Sequence, residues 1–354
     1  MARKRKKLPE NFEEIAKTGD LAQLQAVFEQ CEINAYGGYR KGNALSFKGI
    51  SLEGIAWLVA QGIDIKMGDS WGVPPIQHQA RQSAANVKCL LQYGADIEQQ
   101  DNYQKTPLFN LVSEYNLAAV KNLIANGANL HAVNFDYSTQ MTVLDAALWR
   151  CSNAHIPRAA EMAEFLLAQG AVVGAEAKNY VQNIGEEFEF YRADFDPDYL
   201  PEVEQGLSKL YQLFEVKPAA KRLIHDGKQP IIVADGTWRQ QFNQLWEMLV
   251  PGSGSALTIQ GEVIRIIGKV SNEILGNGGI NWSKDYKKLP QALPYYFAQG
   301  NSLPEDQMQQ LLELANAVSA HSSEELLGRL SELAVQWVQL NPQPMTLGKV
   351  AYKR

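Results

Sequence analysis

An all-α chain is predicted, with a helical repeat array in its first half and a mostly α-helical domain in its second. Three observations carry this. First, one phrase returns four times: an aliphatic pair with a glycine three residues on, at Leu58-Val59, Leu90-Leu91, Leu123-Ile124 and Leu166-Leu167. The glycines Gly62, Gly94, Gly127 and Gly170 are 32, 33 and 43 residues apart, and a period near 33 marks stacked helical repeats. Second, the period is lost after Val173, while apolar residues keep helical spacing to Leu340. Third, 354 residues with 45% hydrophobic and 20% charged side chains have an ordinary globular composition and room for two domains.

The elements follow in chain order. Arg3 to Lys7 is a dense basic block, read as a solvated, disordered tail over residues 1–8, or else as a nuclear or nucleic-acid signal. Phe12, Ile15 and Ala16, then Leu21, Leu24, Val27 and Phe28, read as a capping helix pair broken at Gly19. Four helix pairs are expected over 43–65, 73–97, 105–130 and 141–173. In each, the aliphatics end a buried helix and the glycine takes the left-handed conformation that closes it. One such pair cannot bury its apolar stripe alone and must stack on the next. The last pair is about ten residues too long, and the excess lies near Arg150 to Pro157. It is either a loop on the working face or drift at the end of the array.

In the second half, helices are expected over 181–190, 201–214, 237–250, 256–275 and 326–340, with a further one opening at Pro304. Asp235 is the expected cap of the third, and Ser322 with Glu325 the capping box of the last. Pro230 to Ala234 is either a strand or an extended connector. Ala256 to Leu275 carries aliphatics on two faces and is expected to be central and buried. Met345 to Arg354 is expected to fray. The domains expected are an array over 9–175, an acidic helical connector over 176–228 and a helical domain over 229–345.

The glycine phrase and its partner helix resemble ankyrin repeats over about residues 10–175. Thr106-Pro107-Leu108-Phe109-Asn110-Leu111 matches the family's opening motif best, departing at Phe109 and Leu111. Pro74 to Ala80 and Thr142 to Ala147 depart further. The resemblance implies β-turn fingers at 34–42, 66–72, 98–104 and 131–140, and a protein partner gripped by the fingers and the concave face. The candidate gripping residues are Tyr36, Tyr39, Asp69, Trp71, Asp101, Tyr103, Asp136 and Tyr137, with Arg40 and Phe135 beside them. Aromatics are what interface hot spots are made of. An alternative is that these rings stack on the neighbouring finger.

A second surface lies in 185–216, where nine acids stand against Arg192 and Lys209. Glu187, Glu189, Asp194 and Asp196 sit there among Phe188, Phe190, Tyr191, Phe195 and Tyr199. Carboxylates would steer a basic partner while rings anchor it. The plainer account is a solvated helix face with the aromatics inward.

Chemistry is sparse. His78, His131, His155, His225 and His321 are scattered and form no metal motif. Neither glycine cluster of the second half has the context of a phosphate loop. Gln260, Glu262 and Arg265 on one helix, with Asn281 and Trp282 beyond it, form a pocket candidate. Set against that is an interhelix salt bridge beside a packed tryptophan. No nucleophile, acid/base pair or metal triad completes a mechanism, so no enzyme and no cofactor is expected.

The net charge of −6 argues against nucleic acid and anionic membranes as partners. No apolar run reaches the roughly 18–20 residues of a spanning helix. Three separated cysteines, Cys31, Cys89 and Cys151, suit buried thiols in a reducing cytoplasm. The array joined to a helical half with Gln260-Gly261-Glu262-Val263-Ile264-Arg265 and Asn277-Gly278-Gly279-Ile280-Asn281-Trp282 resembles bacterial proteins encoded beside toxin genes, which act as immunity proteins. The expected function is therefore a monomeric, cytoplasmic protein that binds and neutralises another protein, a basic toxin. The alternatives are an enzyme with its site in 230–300 and an adaptor between two partners.

Overall fold

The computed structural model describes residues 3–136, 139–350 and 352. It is mostly helical, with 54% helix and 6% strand, sixteen α-helices and no closed sheet among the described residues. Two compact units divide it, one of residues 1–185 with 201–218, the other of 186–200 with 219–354. The stretch expected to stand apart as an acidic connector is thus shared out between them.

The first unit begins with strand β1 (Arg5–Lys7), paired in parallel with β2 (Cys31–Tyr36). The basic block expected to be disordered is therefore part of a sheet. Its Lys and Arg side chains are exposed on the short strand, which suits a protected sheet edge. Between the strands lie α1 (Phe12–Thr18) and α2 (Leu21–Gln30). A 3-10 turn at Ala44–Ser46 and α3 (Leu52–Ala60) make the first pair. The pairs α4 (Pro75–Ala80) with α5 (Ala84–Gln92) and α6 (Pro107–Ser113) with α7 (Leu117–Ile124) follow. A hairpin of β3 (Val133–Asp136) and β4 (Thr139–Thr142) precedes α8 (Asp145–Leu148) and α9 (Ile156–Ala168).

The repeat is visible in the bonding. Gly62, Gly94, Gly127 and Gly170 have φ of 84°, 89°, 89° and 85°, a region where a Cβ is strained. The amide after each glycine donates five residues back, to Leu58, Leu90, Leu123 and Leu166, at 3.0–3.1 Å. Those four leucines are completely buried. Ser51, Ser83 and Asn116 cap α3, α5 and α7 by accepting the amide three residues on. Packing then runs from the 3-10 turn to α4, α6 and α8 along one row, and from α3 to α5 to α7 along another.

Helix α10 (Ala177–Tyr191) starts in the first unit and ends in the second, and α11 (Leu200–Phe214) follows it. The second unit continues with α12 (Trp238–Leu249), α13 (Ile259–Ser271), α14 (Lys284–Phe297), α15 (Glu305–Ala317) and α16 (Glu324–Leu340). Helix α13 packs against α12, α14 and α16, and Val263, Ile264, Ile266 and Ile267 are buried on both its sides. The expected central helix is there, and it ends in a π turn at Asn272–Gly276. Residues 186–200 join this unit through Arg222. Its guanidinium lies 3.9 Å from the Phe190 ring centre and donates to the carbonyls of Phe190, Trp246, Glu247 and Val250.

Local signals were displaced in two places. Thr237 with Gln240 forms the capping box of α12, in place of Asp235. Ser323 caps α16, in place of Ser322. Of the two readings of residues 230–234, the connector holds: they form no strand and are pinned by Ile231 N–H on the Pro342 carbonyl and Ala234 N–H on Gln244 Oε1.

Candidate partner-binding surface

The two middle fingers are closed by acidic side chains turned inward on their own backbone. Asp64, Asp96 and Asn129 accept the amide two residues on, the local turn that Asp and Asn favour. Asp69 then accepts the amides of Trp71 and Val73 at 2.9 and 3.1 Å and meets His78 Nε2 at 3.3 Å. One repeat later Asp101 accepts the amides of Tyr103 and Lys105 at 2.8 and 3.0 Å, and Asn110 Nδ2 at 2.9 Å. Asp69 is buried. Burial works to raise its carboxyl, but the bonds from His78, Trp71 and Val73 together hold it below the usual range. Asp69 and Asp101, expected to face a partner, instead hold the loop that presents Trp71 and Tyr103. The next finger is a regular hairpin, paired from Val133 with Thr142 to Asp136 with Thr139; Tyr137 lies outside the described residues.

Successive fingers are tied by their backbones. Ser70 N–H donates to the Arg40 carbonyl at 2.7 Å and Asn102 N–H to the Trp71 carbonyl at 3.0 Å. What this lattice leaves outward is aromatic. Tyr39 is 91% exposed, Trp71 42%, Tyr103 65% and Phe135 50%. Trp71 carries the Arg40 guanidinium 4.0 Å from its ring centre. Tyr36 is half-buried in β2.

Beside the fingers, a groove of about 560 Å³ is lined by Gly37 to Arg40, Lys48, His78, Arg81 and Glu114. A second, of about 460 Å³, is lined by Lys105, Phe109, Tyr115, Trp149, Arg150 and His155. Glu114 belongs to both. Sequence reasoning did not single out Arg81, Glu114 or Tyr115, yet the period contains the signal. Arg81 and Glu114 are 33 residues apart, and Arg81 Nη2 donates to both Glu114 carboxylate oxygens; Asn110 Nδ2 likewise donates to Gln77 Oε1, 33 residues before it. Residues one period apart occupy equivalent places on neighbouring inner helices and therefore meet. The long last repeat places Arg150 and His155 on the second groove, with His155 stacked on Tyr115 at 5.1 Å and bonded to Ser152.

In the second unit, Glu187, Asp194 and Asp196 are exposed, while Glu189 is buried in a two-pronged pair with Arg192. Tyr191 and Tyr199 are exposed beside them; Phe188 is buried.

The residues expected to line a pocket on α13 are joined to other elements instead. Gln260 donates to the carbonyls of Asn341 and Gln343 at 2.9 and 2.7 Å and accepts Met345 N–H at 3.1 Å. Glu262 and Arg265 are fully buried and bonded through both carboxylate oxygens. Glu262 also accepts Ala256 N–H at 3.0 Å and Tyr352 Oη at 2.6 Å. Burial works to raise the Glu262 carboxyl, but the bonds from Arg265, Tyr352 and Ala256 hold it below the ordinary range. Asn281 and Trp282 lie elsewhere. Asn281 bonds the buried Glu273 through its amide and side chain, and Trp282 stacks on Tyr286 at 5.8 Å. This is a structural lock. Over the described residues 345–350 and 352 it overturns the frayed tail, since Tyr352 is buried and Thr346 pairs with Thr258.

Burial, and then the bond onto Glu262, push the Tyr352 phenol above its ordinary range, so it stays a donor. Tyr352→Phe removes that donor and the contact with Tyr296 Oη at 2.9 Å. A loss of about 1–2 kcal/mol is expected in urea unfolding, with helix content unchanged in dilute buffer.

Among the described residues no three His, Cys, Asp or Glu side chains cluster as a metal site, and no helix is long and apolar enough to cross a membrane. No family model and no curated protein matches the chain.

Proposed function

We propose that this chain is a non-catalytic protein-binding module, an ankyrin-type repeat array whose fingers and inner helices grip another protein. The observation that carries the reading is the row of exposed aromatics on four successive fingers, Tyr39, Trp71, Tyr103 and Phe135. Solubility does not call for such rings, and exposed aromatics in a row mark binding surfaces. The ankyrin assignment draws support from the four left-handed glycines, the repeated caps and the inward Asp69 and Asp101. In its specific form the module is an immunity protein that masks a cognate toxin. A basic toxin would suit the chain's charge of −6 and the exposed acids Glu187, Asp194 and Asp196. The enzyme reading loses ground because Glu262 and Arg265 are spent on each other.

The test is co-purification with the product of the adjacent gene, followed by calorimetry. Tyr39→Ser with Tyr103→Ser should weaken the complex by roughly 100-fold or more, each hot spot contributing about 2 kcal/mol. Thermal stability should hold, because both side chains are mostly in solvent. Undiminished affinity in this double variant would remove the finger surface from the reading. Two partners bound at once would favour the adaptor.

A further inference from the structure

The phenol of Tyr352 is held as a ligand is held, and the chain that brings it is held lightly. We propose that the second unit contains a phenol-binding site, filled by Tyr352 as an internal ligand, and that the segment from Pro342 to Val350 is a latch whose release admits another phenol. This stands independently of the finger surface.

The site has a defined chemistry. Tyr352 Oη donates to Glu262 Oε1 at 2.6 Å and lies 2.9 Å from Tyr296 Oη. Arg265 Nε and Ala256 N–H hold Glu262 Oε2 at 2.8 and 3.0 Å. All five residues are buried, and the Tyr352 ring belongs to the unit's hydrophobic core. The site therefore offers a carboxylate oxygen that accepts, a hydroxyl that donates or accepts, and a ring-sized apolar space. A carboxylate ligand would face Glu262 in a poorly screened interior. A ring without a hydroxyl would leave a buried oxygen short of a donor. A neutral phenol meets each demand.

The latch is built to open. Among the described residues from Pro342 to Tyr352 there is no helix or strand, and Tyr352 alone is buried. Thr346, Gly348 and Lys349 are exposed, while Met345, Leu347 and Val350 are partly buried. Its backbone is held by Ile259 N–H on the Met345 carbonyl at 2.8 Å, Leu347 N–H on the Leu257 carbonyl at 3.2 Å and Met345 N–H on Gln260 Oε1 at 3.1 Å. A segment with few buried apolar contacts opens locally, below the free energy of global unfolding. Closing it also completes the desolvation of the Glu262–Arg265 pair, which offsets part of what burying the ring contributes.

The test uses the full natural chain and amide hydrogen exchange. Leu347 should exchange at least about 100-fold faster than Ile266 and Ile267 of α13, with little dependence on urea, because the latch opens alone. Millimolar p-cresol should quicken Leu347 further, in proportion to its concentration, by trapping the open form, and leave the α13 amides unchanged. 4-Methylanisole, similar in shape but with no hydroxyl to donate, should have no such effect. N-acetyltyrosinamide separates the sources of the phenol. A response to it alongside p-cresol extends the site to a tyrosine side chain of another protein, and a response to p-cresol alone assigns it to small phenols. Tyr352→Ala empties the site, and by calorimetry this variant should bind p-cresol roughly ten-fold more tightly than 4-methylanisole. Should that variant fail to fold, exchange in the natural chain decides. Leu347 exchanging as slowly as α13, with the same urea dependence, overturns the latch. Equal effects of p-cresol and 4-methylanisole, or none from either, overturn the phenol site.

Discussion

Arg265→Met is expected to destabilise the second unit by about 3–5 kcal/mol, since it strands a buried carboxylate. The Glu262 and Arg265 side chains are both fully buried, and the pair bonds through two oxygens. Taking such a pair out of water is costly, and it persists because every lone pair of Glu262 finds a donor. The double change Glu262→Gln with Arg265→Met should cost less than Arg265→Met alone, because no charge is left unpaired. Urea unfolding followed by tryptophan fluorescence measures both. A larger loss in the double variant would mean that the pair is not the unit that matters.

The same pair predicts an acid limb. The Glu262 carboxyl is held below its ordinary value of 4.5 in the folded chain. A depressed carboxyl contributes stability that is fully present above the unfolded value and is lost as pH falls through the folded one. Stability should therefore drop more steeply below about pH 4.5 in the natural chain than in Glu262→Gln. Parallel acid limbs would show that the carboxyl is not perturbed.

The second large effect is expected from the array. Leu90→Ala and Leu123→Ala each remove a completely buried side chain and should each cost about 2–5 kcal/mol. Leu90 lies on α5, between α3 and α7, so the cavity weakens both interfaces. Repeat stability is a sum of each repeat and its neighbours. Hydrogen exchange should consequently quicken in α3 and α7 as well as in α5. Exchange confined to α5 would mean that the stacking contributes little.

The array was legible because its information is periodic. The glycine phrase, the caps and the inner-helix partners recur at one spacing, and a recurring local constraint can be read without knowing the fold. The fate of Asp69 and Asp101 was not legible. An acid near a loop tip reads as exposed until the turn is closed, and only then do amides two and four residues on converge upon it. The same holds for Glu189, whose partner Arg192 was in view but whose burial was not.

The second half shows the limit more sharply. Gln260, Glu262 and Arg265 stood out as polar residues on an apolar helix, and an i,i+3 ion pair was foreseeable. That Tyr352, Ala256 and the carbonyls of Asn341 and Gln343 would complete them was not, since those partners lie up to 90 residues away in sequence. Helix spacing and the repeat period were determined by the sequence alone, because each is a constraint among near neighbours in the chain or in a repeat. Which acids point inward, where the C-terminal segment is held and which grooves are open were decided only by the tertiary structure. Those depend on which distant groups arrive to satisfy a buried charge or leave it to water.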